Sequence, residues 1–329
     1  MNIFITGATG FVGRHLVDIL VRKGHRVYCL VRNVEKARSL LGNNIELIEG
    51  TLSDDSRLIL AKIPNIEGVC HLAGCISGSS KKEFFKVNTA GTQKLLDNLR
   101  SFIGLRRFIY LSSLAVVGRS YREVITEQIH CRPFSLYGKS KLLAEEVVHK
   151  FYDEFPSVGF FILRAPVIYG PDQPDMVSNF FERIKSGKII LPCDGRNIRS
   201  MCYVGNLVEV IKVLIEGTAN QPVGVEVINV ADMEKHTLTE VVNAIGQAMG
   251  KNRVDIKHLP SFVSDLALLI HRTMALFGIN SKELFVIATA SANIDCDVSK
   301  MRRLIGTDLP YSFSEGLSRT IDWLKKGQV

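Results

Sequence analysis

Residues 2–13 read Asn-Ile-Phe-Ile-Thr-Gly-Ala-Thr-Gly-Phe-Val-Gly, an apolar strand pattern that runs straight into three glycines. An amphipathic helical segment, Val12–Lys23, follows at once. A strand that turns directly into a helix leaves the first N–H groups of that helix, and its positive dipole end, free to hold phosphates. Gly7 can make the tight turn, Gly10 lets backbone approach a pyrophosphate, and Gly13 lets the helix lie on the strand. Thr9, Phe11 and Val12 complete the turn as further cofactor-binding candidates. The spacing is G-x-x-G-x-x-G, and its position after a strand and before a helix gives it weight that bare glycines lack.

The rest of the first half repeats this rhythm. Short apolar runs at Asn2–Thr6, Arg26–Val31, Ile45–Ile48, Gly68–Leu72, Arg107–Leu111 and Gly159–Leu163 alternate with helix-length segments such as Val12–Lys23, Lys82–Arg100 and Leu136–Glu154. Continuous apolar strands alternating with helices predict a parallel sheet covered on both faces. The expected fold class is α/β: a Rossmann-type doubly wound parallel sheet with a smaller, mostly helical C-terminal substrate lobe. The rhythm breaks after Gly170-Pro171. Residues 1–170 form the expected dinucleotide-binding domain, with residues 200–231 returning to it, including a strand at Gly224–Val230. Residues 171–199 and 232–329 form the expected substrate lobe.

Composition narrows the class of ligand. The 329 residues are 46% hydrophobic and 22% charged, with a formal net charge of +8. That is globular composition, which excludes disordered and collagen-like chains. The basic residues are scattered, which favours a phosphate-bearing small molecule over nucleic acid. Seven cysteines in apolar runs suit reduced thiols and a cytoplasmic protein. Cys70-His71…Cys75 reads as a buried strand end and loop, since no second ligand pair has zinc-type spacing, and no metal is expected. The N-terminus has no basic region followed by a cleavage site, so no signal peptide is expected. Residues 262–279 are strongly apolar but contain Asp265, His271 and Arg272, so no membrane span is expected. That segment reads first as a helix packed in the protein and second as an interfacial, lipid-facing one.

Three further features carry chemistry. The second strand ends Val31-Arg32-Asn33 without a carboxylate, and Arg32 can pair with a ribose 2′-phosphate, with Lys36 and Arg38 adding charge. NADP(H) is therefore the preferred cofactor and NAD(H) a possible one. Tyr137 and Lys141 are four residues apart on one helix face, where an ammonium can favour the phenolate of a tyrosine that acts as acid and base. The strand at Arg107–Leu111 ends in Ser112-Ser113, at the sheet edge where such folds bind ligands.

Together these residues resemble the extended short-chain dehydrogenase/reductase superfamily, within the NAD(P)-dependent epimerase/dehydratase family. The chain is similar to nucleotide-sugar epimerases and reductases and to dihydroflavonol or 3β-hydroxysteroid reductases. The resemblance rests on residues 6–13, His71-Leu72-Ala73-Gly74, Val87-Asn88-Thr89-Ala90-Gly91-Thr92, Leu111-Ser112-Ser113, Tyr137–Lys141 and Arg164-Ala165-Pro166-Val167-Ile168-Tyr169-Gly170-Pro171. It implies a catalytic Ser113, Tyr137 and Lys141, the serine being chosen by its distance from Gly118. It also implies that Leu72, Ala73, Gly74, Asn88, Pro166 and Val167 line the cofactor, and that Leu52 walls the adenine. Departures are informative. Thr51 stands where relatives usually carry an adenine-contacting aspartate. Leu114-Ala115 replaces the Asp-Glu pair of dehydratases, which disfavours elimination of water.

The expected function is reversible hydride transfer between a secondary alcohol and a ketone by an oxidoreductase or epimerase. A nucleotide-sugar substrate would meet Ser113 and Tyr137 at the reacting centre and Arg199 at its diphosphate, with Arg196 and Lys188 as further cations. The alternatives are a hydrophobic, steroid- or dihydroflavonol-like ketone held by residues 262–279, and a non-catalytic dinucleotide sensor or scaffold. A homodimer through the helices at Lys82–Arg100 and Leu136–Glu154 is a further expectation.

Overall fold

A computed structural model describes residues 1–52, 63–76, 80–102, 104–119, 123–173, 175–217 and 224–326. The strands are β1 (Asn2–Thr6), β2 (Arg26–Val31), β3 (Glu46–Glu49), β4 (Gly68–His71), β5 (Arg107–Leu111), β6 (Gly159–Arg164), β7 (Val167–Tyr169), β8 (Lys188–Leu191), β9 (Met201–Tyr203), β10 (Gly224–Asn229) and β11 (Asp255–His258). The α-helices are α1 (Phe11–Arg22), α2 (Val34–Leu41), α3 (Lys81–Phe84), α4 (Gly91–Leu99), α5 (Leu136–Tyr152), α6 (Asp175–Lys185), α7 (Val204–Glu216), α8 (Leu238–Ala248), α9 (Phe262–Leu276), α10 (Lys282–Ala290), α11 (Ser299–Ile305) and α12 (Phe313–Lys326).

Seven parallel strands form the central sheet in the order β10-β6-β5-β4-β1-β2-β3. Alternate residues of each strand enter opposite cores. Ile3 and Ile5 join the apolar cluster that holds α1 and α7, while Phe4 joins the one that holds α4 and α5. In β6, Phe161 and Leu163 face the first cluster, and Phe160 and Ile162 the second. This two-residue period explains why the strands read as unbroken apolar runs.

The chain reverses its winding between β1 and β4, which opens a crevice at their carboxyl ends. The glycine turn and residues 72–74 both emerge there. Helix α7 packs on α1, and β10 pairs with β6. The cluster beside α1 continues without a break to Val241, Ile245 and Phe313, so the C-terminal lobe shares the core of the sheet domain.

Two sequence expectations change. The helix expected over Lys82–Arg100 is α3, a π-helical turn at Phe85–Ala90, and α4. The extra residue of the π turn sets Asn88 and Thr89 against α5, where their side chains bond Ser140. Second, residues 171–199 are less irregular than their prolines and glycines suggested, holding α6 and β8, which pairs with β11.

Candidate active site

The glycine turn has the geometry its spacing predicted. Gly7 sits at φ +76, and a Cβ there would lie 2.6 Å from the Ala73 nitrogen. At Gly13 a Cβ would lie 2.2 Å from the Gly7 oxygen, so only glycine lets α1 start this close to β1. Gly10 differs: its absent Cβ would meet only the Gly7 oxygen, at 3.1 Å, and otherwise points into open space. Gly10 also caps α1 without any side-chain acceptor, so the first N–H groups of the helix stay available. Thr9 and Phe11 are half-buried beside it, and Val12 is buried in the core. These residues fit the diphosphate of a dinucleotide. Behind the turn, Arg14 Nη1 lies 3.4 Å from Asp172 Oδ1, and His15 Nε2 lies 2.9 Å from the Pro171 oxygen. These contacts tie α1 to the segment after β7.

The opposite wall is the loop after β4. His71 is fully buried, and burial pushes its pKa down to about 3, with Lys141 nearby lowering it further. Thr92 Oγ1 donates to the Asn88 oxygen, so it accepts from His71 Nε2 at 2.9 Å. His71 Nδ1 then accepts from Thr6 Oγ1 at 2.6 Å, and that oxygen accepts from the Ala73 N–H. A neutral imidazole thus joins the ends of β1 and β4. Leu72 and Ala73 are half-buried and Gly74 is exposed. Leu52 is half-buried against Gly91.

Asn88 is placed differently from its expected cofactor-lining role. It is buried, its Oδ1 accepts from the Cys75 N–H at 2.7 Å, and its Nδ2 donates to the Cys75 oxygen and Ser140 Oγ. With both ends of its amide engaged inside the protein, it positions the Cys75 loop. Gly74 lies in front of it, where a Cβ would be 3.3 Å from Asn88 Oδ1 and 3.7 Å from Lys141 Nζ.

Ser113, Tyr137 and Lys141 converge where β5 and α5 meet. Ser113 Oγ accepts from the Ala115 N–H at 3.1 Å and so starts a short 3-10 turn. Ser135 caps α5 by accepting from the Gly138 N–H. Gly138 permits the approach, because a Cβ there would lie 2.4 Å from the Ala115 oxygen. Burial pushes the Tyr137 hydroxyl up to about 12, against a hydrogen bond with Ser113 that pulls it down. Lys141 is buried, its Nζ donates to the Leu111 oxygen at 2.6 Å, and it stands 4.2 Å from the centre of the Tyr110 ring. Burial lowers its pKa to about 7, while Glu145 one turn along raises it. The lowered tyrosine pKa expected from the sequence is absent here, because desolvation outweighs the hydrogen bond with Ser113.

The two serines separate clearly. Ser112 is buried and its Oγ donates to Glu145 Oε1, whereas Ser113 is half-buried on the Tyr137 side. Glu145 in turn receives Arg164, with Nη2 2.6 Å from Oε2 and Nε 3.1 Å from Oε1. Sequence reasoning missed Gly138, Glu145 and Arg164 as supports of the site, although Glu145 stands four residues after Lys141. Past Arg164, Pro166 is half-buried and Val167 exposed, and the Ala165 oxygen accepts from the Leu114 N–H at 2.9 Å, beside Ser113.

Arg32 is exposed just after β2, with Lys36 and Arg38 exposed on α2. Arg199 is half-buried; its Nη1 donates to the Thr289 oxygen at 3.0 Å, and burial lowers its pKa to about 10. Among the described residues no carboxylate pairs with it. Arg196 and Lys188 are exposed. Among the described residues, no three His, Cys, Asp or Glu side chains cluster as a metal site would require.

Residues 3–231, well over half the chain, match the NAD dependent epimerase/dehydratase family. The chain belongs to that family. It is an NAD-dependent enzyme of the extended short-chain dehydrogenase/reductase type. This epimerase/dehydratase-family enzyme is 29% identical, over 98% of its length and 95% of the relative's, to the N-acetyl-alpha-D-glucosaminyl-diphospho-ditrans,octacis-undecaprenol 4-epimerase of Escherichia coli O157:H7. It is 28% identical to the uncharacterized protein y4nL of Sinorhizobium fredii, over 99% of its own length and 96% of that protein's. Among solved structures, the fold matches a UDP-glucose 4-epimerase of Thermotoga maritima with UDP-glucose, at a TM-score of 0.78, 24% identity and full coverage of both chains. It also matches the UDP-glucuronic acid 4-epimerase of Bacillus cereus in complex with NAD, at a TM-score of 0.77 and 24% identity over the whole of both chains.

Proposed function

We propose that this enzyme reversibly oxidises a hydroxyl-bearing carbon of a diphosphate-linked sugar and returns the hydride to the opposite face, as an epimerase. The observation that carries this reading is the convergence of Ser113, Tyr137 and Lys141 on the crevice between the glycine turn and Gly74. A nicotinamide dinucleotide held at Gly7–Gly13 supplies reversible hydride acceptance. Ser113 orients the reacting sugar oxygen. Tyr137 removes the hydroxyl proton during oxidation and restores it during reduction. Lys141, held at the Leu111 oxygen, supports the tyrosinate and the cofactor ribose. Leu72, Ala73, Pro166 and Val167 flank the nicotinamide side. Arg199 takes the sugar diphosphate, which replaces solvent as the partner of its half-buried charge.

Arg32 favours NADP(H) over NAD(H) through a 2′-phosphate, although the Bacillus cereus neighbour carries NAD. One observation favours a particular carrier for the sugar. Helix α9 exposes a broad apolar face, and the Escherichia coli relative is named for a sugar on undecaprenyl diphosphate. That pairing makes a sugar on a polyprenyl diphosphate a second candidate beside the nucleotide-sugar that the sequence implies.

The deciding experiment incubates the enzyme with either dinucleotide and a panel of UDP-sugars and polyprenyl diphospho-sugars. Reduced cofactor is followed by absorbance and the sugar configuration by NMR. Epimer formation without net cofactor turnover supports the proposal. Stoichiometric cofactor consumption assigns a reductase instead, and neither change over the whole panel refutes it.

A further inference from the structure

Helix α9 buries a face of small and polar residues and exposes an apolar one. Ser264, Ala267, His271 and Ala275 recur every three or four residues and are buried. His271 and Ala275 reach the wall that carries Tyr137, while Ser264 Oγ donates to the Pro192 oxygen at 2.8 Å. The His271 ring meets Phe134 edge-on at 5.8 Å, and Ala275 shares a cluster with Phe84, Leu136 and Tyr137. Arg119 Nη1, 3.0 Å from Asp265 Oδ1, ties the start of the helix to the segment after Ser113. Ile279, just past the helix, bridges to Ser80.

The opposite arc carries Phe262, Leu266, Leu269, Ile270, Leu276 and Phe277, all exposed, with Leu276 at 82% and Phe277 at 76%. At 3.6 residues per turn these positions are centred directly opposite the buried face. The remaining residue of that arc, Thr273, turns its hydroxyl inward and donates to the Leu269 oxygen at 3.0 Å. Folded monomers rarely leave an apolar patch larger than about a few hundred Å² facing water. Helix α9 has 15 residues, and no described helix is long and apolar enough to cross a membrane. An exposed apolar arc on a helix this short suits the plane of an interface rather than a span.

We propose that the outer face of α9 docks this enzyme flat on an anionic lipid bilayer, which places the Tyr137 crevice beside the membrane surface. Charge selects the bilayer over a second copy of the chain. Arg272 flanks the apolar arc, exposed and with no carboxylate partner among the described residues. Lys81 lies against Gly278 at the far end, and Lys82 is next to it. Of the carboxylates here, Asp265 is held by Arg119, Glu283 accepts from Ser281, and Glu83 follows Lys82 in the turn capped by Ser80. Two copies of a chain with a formal net charge of +8 repel one another, whereas anionic headgroups attract the exposed cations beside the arc. The proposal rests on the proposed function only for the substrate: a sugar on a membrane lipid would arrive from that side.

The test is co-sedimentation of the whole chain, without substrate, with vesicles of phosphatidylcholine alone or mixed with phosphatidylglycerol. Binding to the mixed vesicles is expected, weaker by about tenfold or more in Leu266→Asp/Leu269→Asp and by about fivefold in Arg272→Glu. Phe277→Ser, outside the helix proper, serves if the double variant does not fold. Unchanged dinucleotide titration and unchanged turnover of a soluble diphospho-sugar show that the fold and the site survive. Absent binding, equal binding by the apolar variants, or equal binding to neutral vesicles overturns the proposal. So does a wild-type dimer, seen by light scattering, that the double variant dissociates without any vesicle binding. Vesicle binding alongside failed epimerisation refutes the proposed reaction alone and leaves the docking surface standing.

Discussion

The Lys141 ammonium donates to the main-chain oxygen of Leu111 at 2.6 Å, at the carboxyl end of strand β5. The bond fixes the end of a flexible side chain at the floor of the crevice, and burial there lowers its pKa to about 7. Its ordinary value is 10.5, so burial disfavours the charged form and the unfolded chain binds the extra proton between those two values. The destabilisation is complete below about pH 7 and is relieved as pH rises towards 10.5. Compared with Lys141→Met, the wild-type chain should therefore gain stability across that window in urea titrations. Its kcat/KM should also show a limb near pH 7 that Lys141→Met lacks. A pH-independent stability difference between the two proteins contradicts the assigned cause.

Tyr137→Phe removes the proton-transfer group and leaves the ring packed near Phe84, with centroids 6.4 Å apart in the wild type. General acid–base catalysis is worth typically ~10²–10⁴-fold, so kcat should fall by that range while dinucleotide affinity is kept. Near-wild-type turnover, measured under saturating substrate, removes Tyr137 from the chemistry.

Adjacent serines should fail in different ways. Ser113→Ala loses a donor at the reacting oxygen, with an expected loss in kcat of about 10²–10³-fold and little change in stability. Ser112→Ala loses a buried bond to the Glu145 carboxylate, worth roughly 1.5–3 kcal/mol in chemical denaturation. Exchanged phenotypes would show that the two hydroxyls were assigned the wrong way round.

Glu145 and Arg164 form a buried pair, with side-chain exposures of 3% and 7%. Breaking such a pair leaves an uncompensated charge, so Glu145→Leu and Arg164→Met should each lose about 3–5 kcal/mol. The double variant should recover most of that loss, because neither charge remains. Additive losses in the double-mutant cycle exclude this explanation.

Arg32→Ala tests cofactor choice. A charge-assisted contact to a 2′-phosphate contributes roughly 1.5–3 kcal/mol, which is about ten- to a hundredfold in affinity. NADP(H) affinity should fall by that factor and NAD(H) affinity should change little. Isothermal titration of both cofactors reads this directly, and equal wild-type affinities rule out the preference.

The amino-acid order alone determined the layered fold, because period-two apolar strands and three glycines act over a few neighbouring residues. Sequence spacing likewise put Tyr137 and Lys141 on one helix face, and the strand-end serines at the ligand edge of the sheet. The resemblance already chose Ser113 by its distance from Gly118; only the tertiary structure shows Glu145, on another element, drawing Ser112 inward. It alone showed the Asn88 amide turned inward to the Cys75 loop and the Tyr137 pKa raised by burial, both set by the protein packed around them. The two faces of α9 were also beyond the sequence. Apolar residues dominate its first two turns all round, so periodicity alone could not say which side the protein covers. Packing against Phe134 and Leu136 settled that, and left Leu276 and Phe277 facing outward.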